Sequence, residues 1–318
     1  MCGRRKRCII PAAPSRLRRV PPIMSDDLSS LLARLPCDAR FALAAITSAL
    51  AACATPAPDT AVTSLIDAER TFAAMAAEQG VRASFLANFA DDGVAFEPEP
   101  VRLREVWGAR PAPADPKALR LQWAPAAAAV AASGDLGFTT GPFTLSFASG
   151  ARPPRHGIFT SVWRRDAAGN WKVVLDAGVG TPIEIPATEL APAPSLPARA
   201  QSAAPAPATI EREPAMTAPA GLARQFAADG RWYREGESPV IGAARIDTLL
   251  ASVLSRLAFV PVAEIVARTR DFAYTFGHLT ATAGDGTVTR RGYVHLWKCD
   301  DAGEWKIAVA IWLTPGKD

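Results

Sequence analysis

The chain is poor in the residues that usually announce chemistry. It has three histidines and five cysteines in 318 residues, and four of the cysteines (Cys2, Cys8, Cys37 and Cys53) fall within the first 53. Cys299 stands alone beyond them, so neither a disulfide framework nor a zinc site of ordinary spacing is available to the body of the chain, and no metal is expected. There is no glycine-rich phosphate loop, no nucleophile elbow and no HExxH helix. No cofactor is expected. Charge of one sign is missing as well, once the leader is set aside. Residues 1–40 hold nine Lys/Arg against three acids, whereas the remainder holds 26 bases against 28 acids. A body this close to neutral has no field with which to gather a polyanion, which excludes nucleic acid as its partner.

No apolar run reaches the roughly 20 residues that a membrane-spanning helix needs. The longest, Phe41–Ala52, is twelve uncharged residues behind Arg40 and ends in Leu50, Ala51, Ala52 and Cys53, followed by a Pro-containing stretch. That length suits the apolar core of a secretory signal. The LAAC tetrapeptide resembles the lipobox of bacterial lipoproteins, which implies acylation of Cys53, attachment to the cell envelope and, with Ala54 next, an outer-membrane position facing the periplasm. Residues 1–53 are then leader and signal, with the true start expected downstream of Met1, and 54–61 are a tether.

The body repeats itself. RLQWAP from Arg120 aligns with RLAFVP from Arg256, and DLGFTTG from Asp135 with DFAYTFG from Asp271, both at an offset of 136. WRRDAAGNWK from Trp163 matches WKCDDAGEWK from Trp297 at an offset of 134, and FADDG from Phe89 matches FAADG from Phe226 at 137. Four blocks in one order at a near-constant offset indicate two copies of one unit, expected over 62–184 and 209–318. A Pro/Ala-rich linker at 185–208 separates them.

Within the first copy, Leu65, Ala68, Phe72 and Met75 recur at helical spacing. Ser84–Phe89 and Val101–Trp107 suggest two further helices. Later segments alternate as strands do: Phe159, Ser161 and Trp163 against Thr160 and Val162, then Trp171, Val173 and Leu175 against Lys172, Val174 and Asp176. DAAGN and DDAGE are hairpin turns. In the second copy Pro214, Pro219 and Gly221 break the first helix. Helices followed by an antiparallel meander predict an α+β fold.

Glu69-Arg70 with Phe72, Phe85-Leu86, Ala90-Asp91-Asp92, the Gly134–Gly137 turn and the Trp163–Asp176 hairpin together resemble the nuclear-transport-factor-2-like superfamily, in its SnoaL-like and ketosteroid-isomerase-like branch. The resemblance implies two tandem cone-shaped domains, each a curved antiparallel sheet on about three helices around a pocket. It also implies that the two domains associate through their sheets as an intramolecular pseudo-dimer. Such pockets serve isomerisation, dehydration or plain binding, so fold alone transfers no activity.

The candidate catalytic groups are few. His295 alternates with Tyr293 and Trp297 on one strand, where an apolar cavity would make its imidazole a base; the alternative is a core histidine bonded to Tyr274 or Tyr233. Asp176 ends a strand and has Ala310 at the matching position of the second copy. His278 is expected at the mouth of the second cone and His156 in solvent. Tyr233, Tyr274, Tyr293, Trp297, Phe159, Ser161 and Trp163 complete the expected pocket lining. Asp135 and Asp271 read as turn caps. The sequence therefore favours an envelope lipoprotein with two domains that bind a small apolar ligand or a partner. An isomerase- or dehydratase-like enzyme and a closed scaffold are the alternatives.

Overall fold

The computed structural model describes residues 58–150, 152–194, 196, 212–253, 256–300 and 302–315. Cys53, the signal, most of the tether and much of the linker lie outside the described residues. No described helix is long and apolar enough to cross a membrane.

The first half opens with α1 (Pro58–Gln79), α2 (Val81–Asn88), β1 (Phe89–Phe96), β2 (Pro100–Arg102) and α3 (Leu103–Ala109). It continues with β3 (Leu119–Trp123), β4 (Ala127–Val130), β5 (Leu136–Phe147), β6 (Arg155–Arg165) and β7 (Trp171–Thr181). A short α4 (Ala187–Leu190) follows. In the second half a 3-10 turn (Glu213–Ala215) and the five-residue α5 (Pro219–Ala223) stand where α1 and α2 stand in the first. Pro219, which has no amide to donate, stops the Glu213–Ala215 turn from running on into α5 as one helix. Then come β8 (Phe226–Arg234), β9 (Val240–Ile241), α6 (Ala243–Val253), β10 (Arg256–Val266), β11 (Phe272–Thr282), β12 (Val288–Cys299) and β13 (Trp305–Pro315).

The two sheets share one strand order: β2-β1-β7-β6-β5-β3, with β4 also on β5, and β9-β8-β13-β12-β11-β10. Even their irregularities coincide. A bulge between Val162 and Trp163 on the β6/β7 pair recurs between Leu296 and Trp297 on β12/β13. Gly141 and Gly277 serve one purpose: a Cβ would stand 2.1 Å from the Ala124 carbonyl oxygen and 2.2 Å from that of Val260. Both positions must stay bare for the neighbouring strand to bend across them. The fold is α+β, two curved sheets each covered by helices on one face.

The other face of each sheet meets its counterpart. Phe138, Ile158, Val162, Leu175 and Val179 from the first sheet share one core with Phe272, Tyr274, Phe276, Val294, Leu296 and Val309 from the second. Here two expectations are corrected. Tyr233 and Tyr274 belong to this inter-sheet core and line neither cone. Both faces of these sheets are apolar, so alternation alone does not say which one meets the helices. His278 shares the side of Phe276 and pairs with Glu99 at 2.8 Å, away from the second cone's mouth.

Equivalent turns clasp each other at one end of this contact. The Ala132 amide donates to Asp271 (2.7 Å) and the Arg268 amide to Asp135 (3.3 Å), while the Ser133 amide donates to Thr269 Oγ1 (3.1 Å). Each turn makes on the other the contact it receives, as the two sides of an isologous interface do. The start of the linker is docked rather than free: Ile185 and Leu190 are buried in the inter-sheet core, and the buried Arg231 guanidinium donates to the Leu190 and Pro192 carbonyls.

Candidate functional site

In the first half the site begins with a carboxylate on an apolar helix stripe. Ala61, Leu65, Phe72 and Ala76 of α1 are buried, and Glu69 lies among them with no exposed surface. A charge there is tolerated only if donors converge on it. Trp123 Nε1 donates to Oε1 at 2.6 Å. Thr139 Oγ1 and Trp163 Nε1 donate to Oε2 at 2.5 and 2.9 Å. Burial nonetheless outweighs these bonds and holds the Glu69 pKa above the usual carboxylate range.

Beside it, Ser161 Oγ donates to Asp176 Oδ2 at 2.7 Å. Burial pushes Asp176 up to about 7, and the nearby Glu69 charge pushes the same way against the Ser161 bond. Ser161 also lies close enough to Glu69 to favour its ionised form slightly, so polar side chains follow one another from Glu69 past Ser161 to Asp176. Straight alternation puts Asp176 with Lys172 and Val174, away from Trp171 and Val173. The β6/β7 bulge reverses this, sending Leu175 to the inter-sheet core and Asp176 into the cone.

Asp176 opens on a cavity of about 220 Å³ otherwise walled by Phe72, Phe85, Trp123, Phe143, Phe159 and other apolar groups. It is the only ionisable residue on that wall. A second opening of about 180 Å³, between Phe96, Trp107 and Leu313, reaches Asp176 as well. Phe159 and Ser161 face this cone, and Trp163 closes its floor. His156 lies at the strand margin, its Nδ1 3.2 Å from Thr144 Oγ1.

The second half repeats the plan with different endings. Glu213, on the 3-10 turn, is fully buried and receives Thr275 Oγ1 (2.5 Å) and Tyr293 OH (2.6 Å), with His295 Nδ1 at 2.7 Å. Trp297 Nε1 donates to Thr275 at 2.9 Å, as Trp163 does to Thr139 at 3.2 Å. Glu213, Thr275 and Trp297 thus hold the places of Glu69, Thr139 and Trp163, and Tyr293 and His295 those of Phe159 and Ser161. Burial, then the Glu213 charge, raises the Tyr293 phenol far above its usual value.

His295 is wholly enclosed, with Phe259, Tyr293 and Trp297 rings 4.8–5.8 Å from its own. Its partner is Glu213; neither tyrosine expected for it, Tyr274 or Tyr233, is on its side of the sheet. Opposite His295 stands Ala310, as Asp176 stands opposite Ser161. Opposite Tyr293 stands Trp312, where Gly178 stands opposite Phe159. Trp232 takes the place of Ala95, and the Trp232 and Trp312 rings meet edge-on at 4.8 Å. Two indoles thus fill the second cone where the first keeps glycine and alanine.

Asp135 and Asp271 accept bonds from Ser133 and Thr269 within their own turns and cap across to the other half, away from both cones. Among the described residues no group of three His, Cys, Asp or Glu is placed to hold a metal ion. Sequence grounds alone do not mark Glu69 and Glu213, the anchors of the two polar networks, as site residues. Glu69 is detectable as the one acid on the Leu65–Phe72 stripe, whereas Glu213 sits in a segment with no period to interrupt.

No family model and no curated protein matches the chain. Among solved structures it is similar to a ketosteroid isomerase-like protein from Erwinia carotovora atroseptica, at 20% identity over 30% of this chain and 81% of that one, with a TM-score of 0.25. It is also similar to an NTF2-like protein of unknown function from Prochlorococcus marinus, at 16% identity over 33% and 88%, with a TM-score of 0.29. An NTF2-like protein with a cystatin-like fold from Novosphingobium aromaticivorans matches at 18% identity over 31% and 71%, with a TM-score of 0.25.

Proposed function

We propose that the first cone binds a small, largely apolar molecule and that Asp176 bonds its one polar atom. The observation that carries this reading is the isolation of Asp176 on an otherwise apolar cavity wall. With a pKa of about 7, Asp176 offers both a donor and an acceptor at neutral pH. The second cone, filled by Trp232 and Trp312, serves as the rigid partner that covers the back of the first sheet. A probe of matching chemistry is 2-naphthol, an apolar bicycle with one hydroxyl. Its fluorescence should titrate with the full protein and lose affinity at least about tenfold in Gly178→Leu and Gly178→Trp, whose side chains enter the cavity. A Cβ at Gly178 meets nothing closer than Phe143 Cε1 at 3.4 Å, so these variants need not disturb the backbone. Equal affinity in wild type and both variants refutes the assignment.

A second reading follows from the position of Asp176 near neutrality with Ser161 holding one oxygen. Ionised Asp176 would remove a proton from a carbon beside a ketone, giving an enolate and a neutral carboxyl, and return that proton to a different carbon. The net change is an isomerisation. A cyclic β,γ-unsaturated ketone, followed by the absorbance of its conjugated product, tests it: Asp176→Asn should lower the rate about 10²-fold or more. A rate indistinguishable from buffer in the wild type refutes it.

Attachment of this pair of domains to the bacterial envelope through acylated Cys53 belongs to the same proposal and rests on the LAAC tetrapeptide behind its apolar run. Cys53→Ser should move the protein from the membrane to the soluble fraction. Unchanged fractionation refutes lipidation at that residue.

A further inference from the structure

The chamber beside Asp176 ends at a side chain rather than at backbone. Phe143 on β5 pairs directly with Gly157 on β6. Its ring lies across that glycine: a Cβ on Gly157 would stand 2.3 Å from Phe143 Cζ, and one on Gly178 would stand 3.4 Å from Cε1. The ring thus rests in a trough that two neighbouring strands leave bare. The second half has no such trough. There Leu279 pairs with Arg291, and Trp312 takes the place of Gly178.

Beyond the ring lies a second hollow. A recess of about 450 Å³ shares Phe143, Leu145 and Gly178 with the chamber of about 220 Å³. The rest of its wall is of another character and includes Arg155, His156, Thr181 and Glu235. Sites for drug-sized ligands enclose roughly 300–1,000 Å³. The chamber alone falls short of that range, and the two hollows joined would reach it. The half-buried Phe143 ring separates the one case from the other. The opening between Phe96 and Trp107 does not bypass it, because that opening lies on the β1 side of β7 whereas the chamber extends toward β5.

We propose that Phe143 is the residue that sets the length of ligand the first cone accepts: a compact body of one or two rings with its polar atom on Asp176, and nothing that projects past the Phe143 ring into the wider recess. This rests on the binding reading of the first cone and narrows its ligand class. Truncating Phe143 joins the two hollows and leaves Asp176, Ser161 and Glu69 in place, so length selection changes while the polar anchor stays.

The test is a series of 4-alkylphenols, from ethyl to octyl, titrated calorimetrically into the full chain. The hydroxyl anchors on Asp176 and the tail grows toward Phe143. Wild-type affinity should rise about fourfold per methylene until the tail meets the ring, and stop rising within the series. In Phe143→Ala the rise should continue for at least two further methylenes, so that 4-octylphenol binds about tenfold or more tighter than it does to the wild type. Phe143→Leu, which keeps an apolar side chain on the strand, guards against lost packing in the alanine variant and should move the limit the same way by less. The change should be confined to the longer members, with 4-ethylphenol binding all three proteins alike. A limit at the same length in all three, a wild-type rise unbroken through octyl, or a variant effect equal across the series overturns the assignment of Phe143 and leaves the binding reading standing. No binding of any member to any of the three overturns both.

Discussion

Replacing Asp176 by asparagine should make the protein more stable, but only above a certain pH. In the folded chain the carboxyl titrates at about 7, against an ordinary value of 3.8. At 1.36 kcal/mol for each tenfold change, that difference disfavours the ionised form by about 4 kcal/mol relative to the unfolded chain. Below pH 4 the group is protonated in both states and the penalty is absent. Between pH 4 and 7 the unfolded chain ionises first, so wild-type stability falls as pH rises, and above 7 the full penalty applies. Asparagine keeps the shape and can still accept the Ser161 hydroxyl. Urea unfolding followed by tryptophan fluorescence at pH 4, 5, 6, 7 and 8 should show Asp176→Asn equal to the wild type at the acid end. The gap should widen to about 2–4 kcal/mol in favour of the variant at pH 8. Glu69→Gln, by removing a facing negative charge, should move the wild-type transition to lower pH. A difference between Asp176→Asn and wild type that is constant across the series refutes a desolvated carboxyl coupled to Glu69.

Two other substitutions probe the frame that holds the site. Glu213→Ala leaves Thr275, Tyr293 and His295 without a buried partner and should cost about 3 kcal/mol or more, read as a lower urea midpoint; an unchanged midpoint would show those donors have other acceptors. Gly277→Ala drives a Cβ against the Val260 carbonyl, and Gly141→Ala does the same at Ala124, so each should lower the Tm by about 5–10 °C. Calorimetry giving wild-type values for both would mean that neither strand crossing is as tight as described.

Much of the frame is readable from residue order. The repeated blocks foreshadow two sheets of one strand order, and the alternation of Phe159, Ser161 and Trp163 puts those three on one face without saying which way that face turns. The broken first helix of the second half follows from Pro214 and Pro219. What escapes is whatever depends on strands sliding past a strict period of two. The bulge opposite Val162 and Trp163 inverts the strand beyond it, so Asp176 enters the cone although its neighbours place it outside. Tyr233 and Tyr274 are misassigned for a different reason. A sheet packed on helices by one face and on another sheet by its reverse offers aromatic residues on both. Glu213 escapes entirely, because a three-residue turn has no amphipathic stripe in which an acid would stand out.

The clasp between the Ala132–Asp135 and Arg268–Asp271 turns has a consequence for how such a molecule can specialise. Two identical subunits that embrace through equivalent surfaces must carry every substitution twice, so a plug that blocks one hollow blocks both. When both sides of the embrace belong to one polypeptide, that constraint is lifted. One hollow can be stoppered with indole and lend rigidity, the other keeps its cavity beside its acid, and dilution cannot separate the specialist from its support.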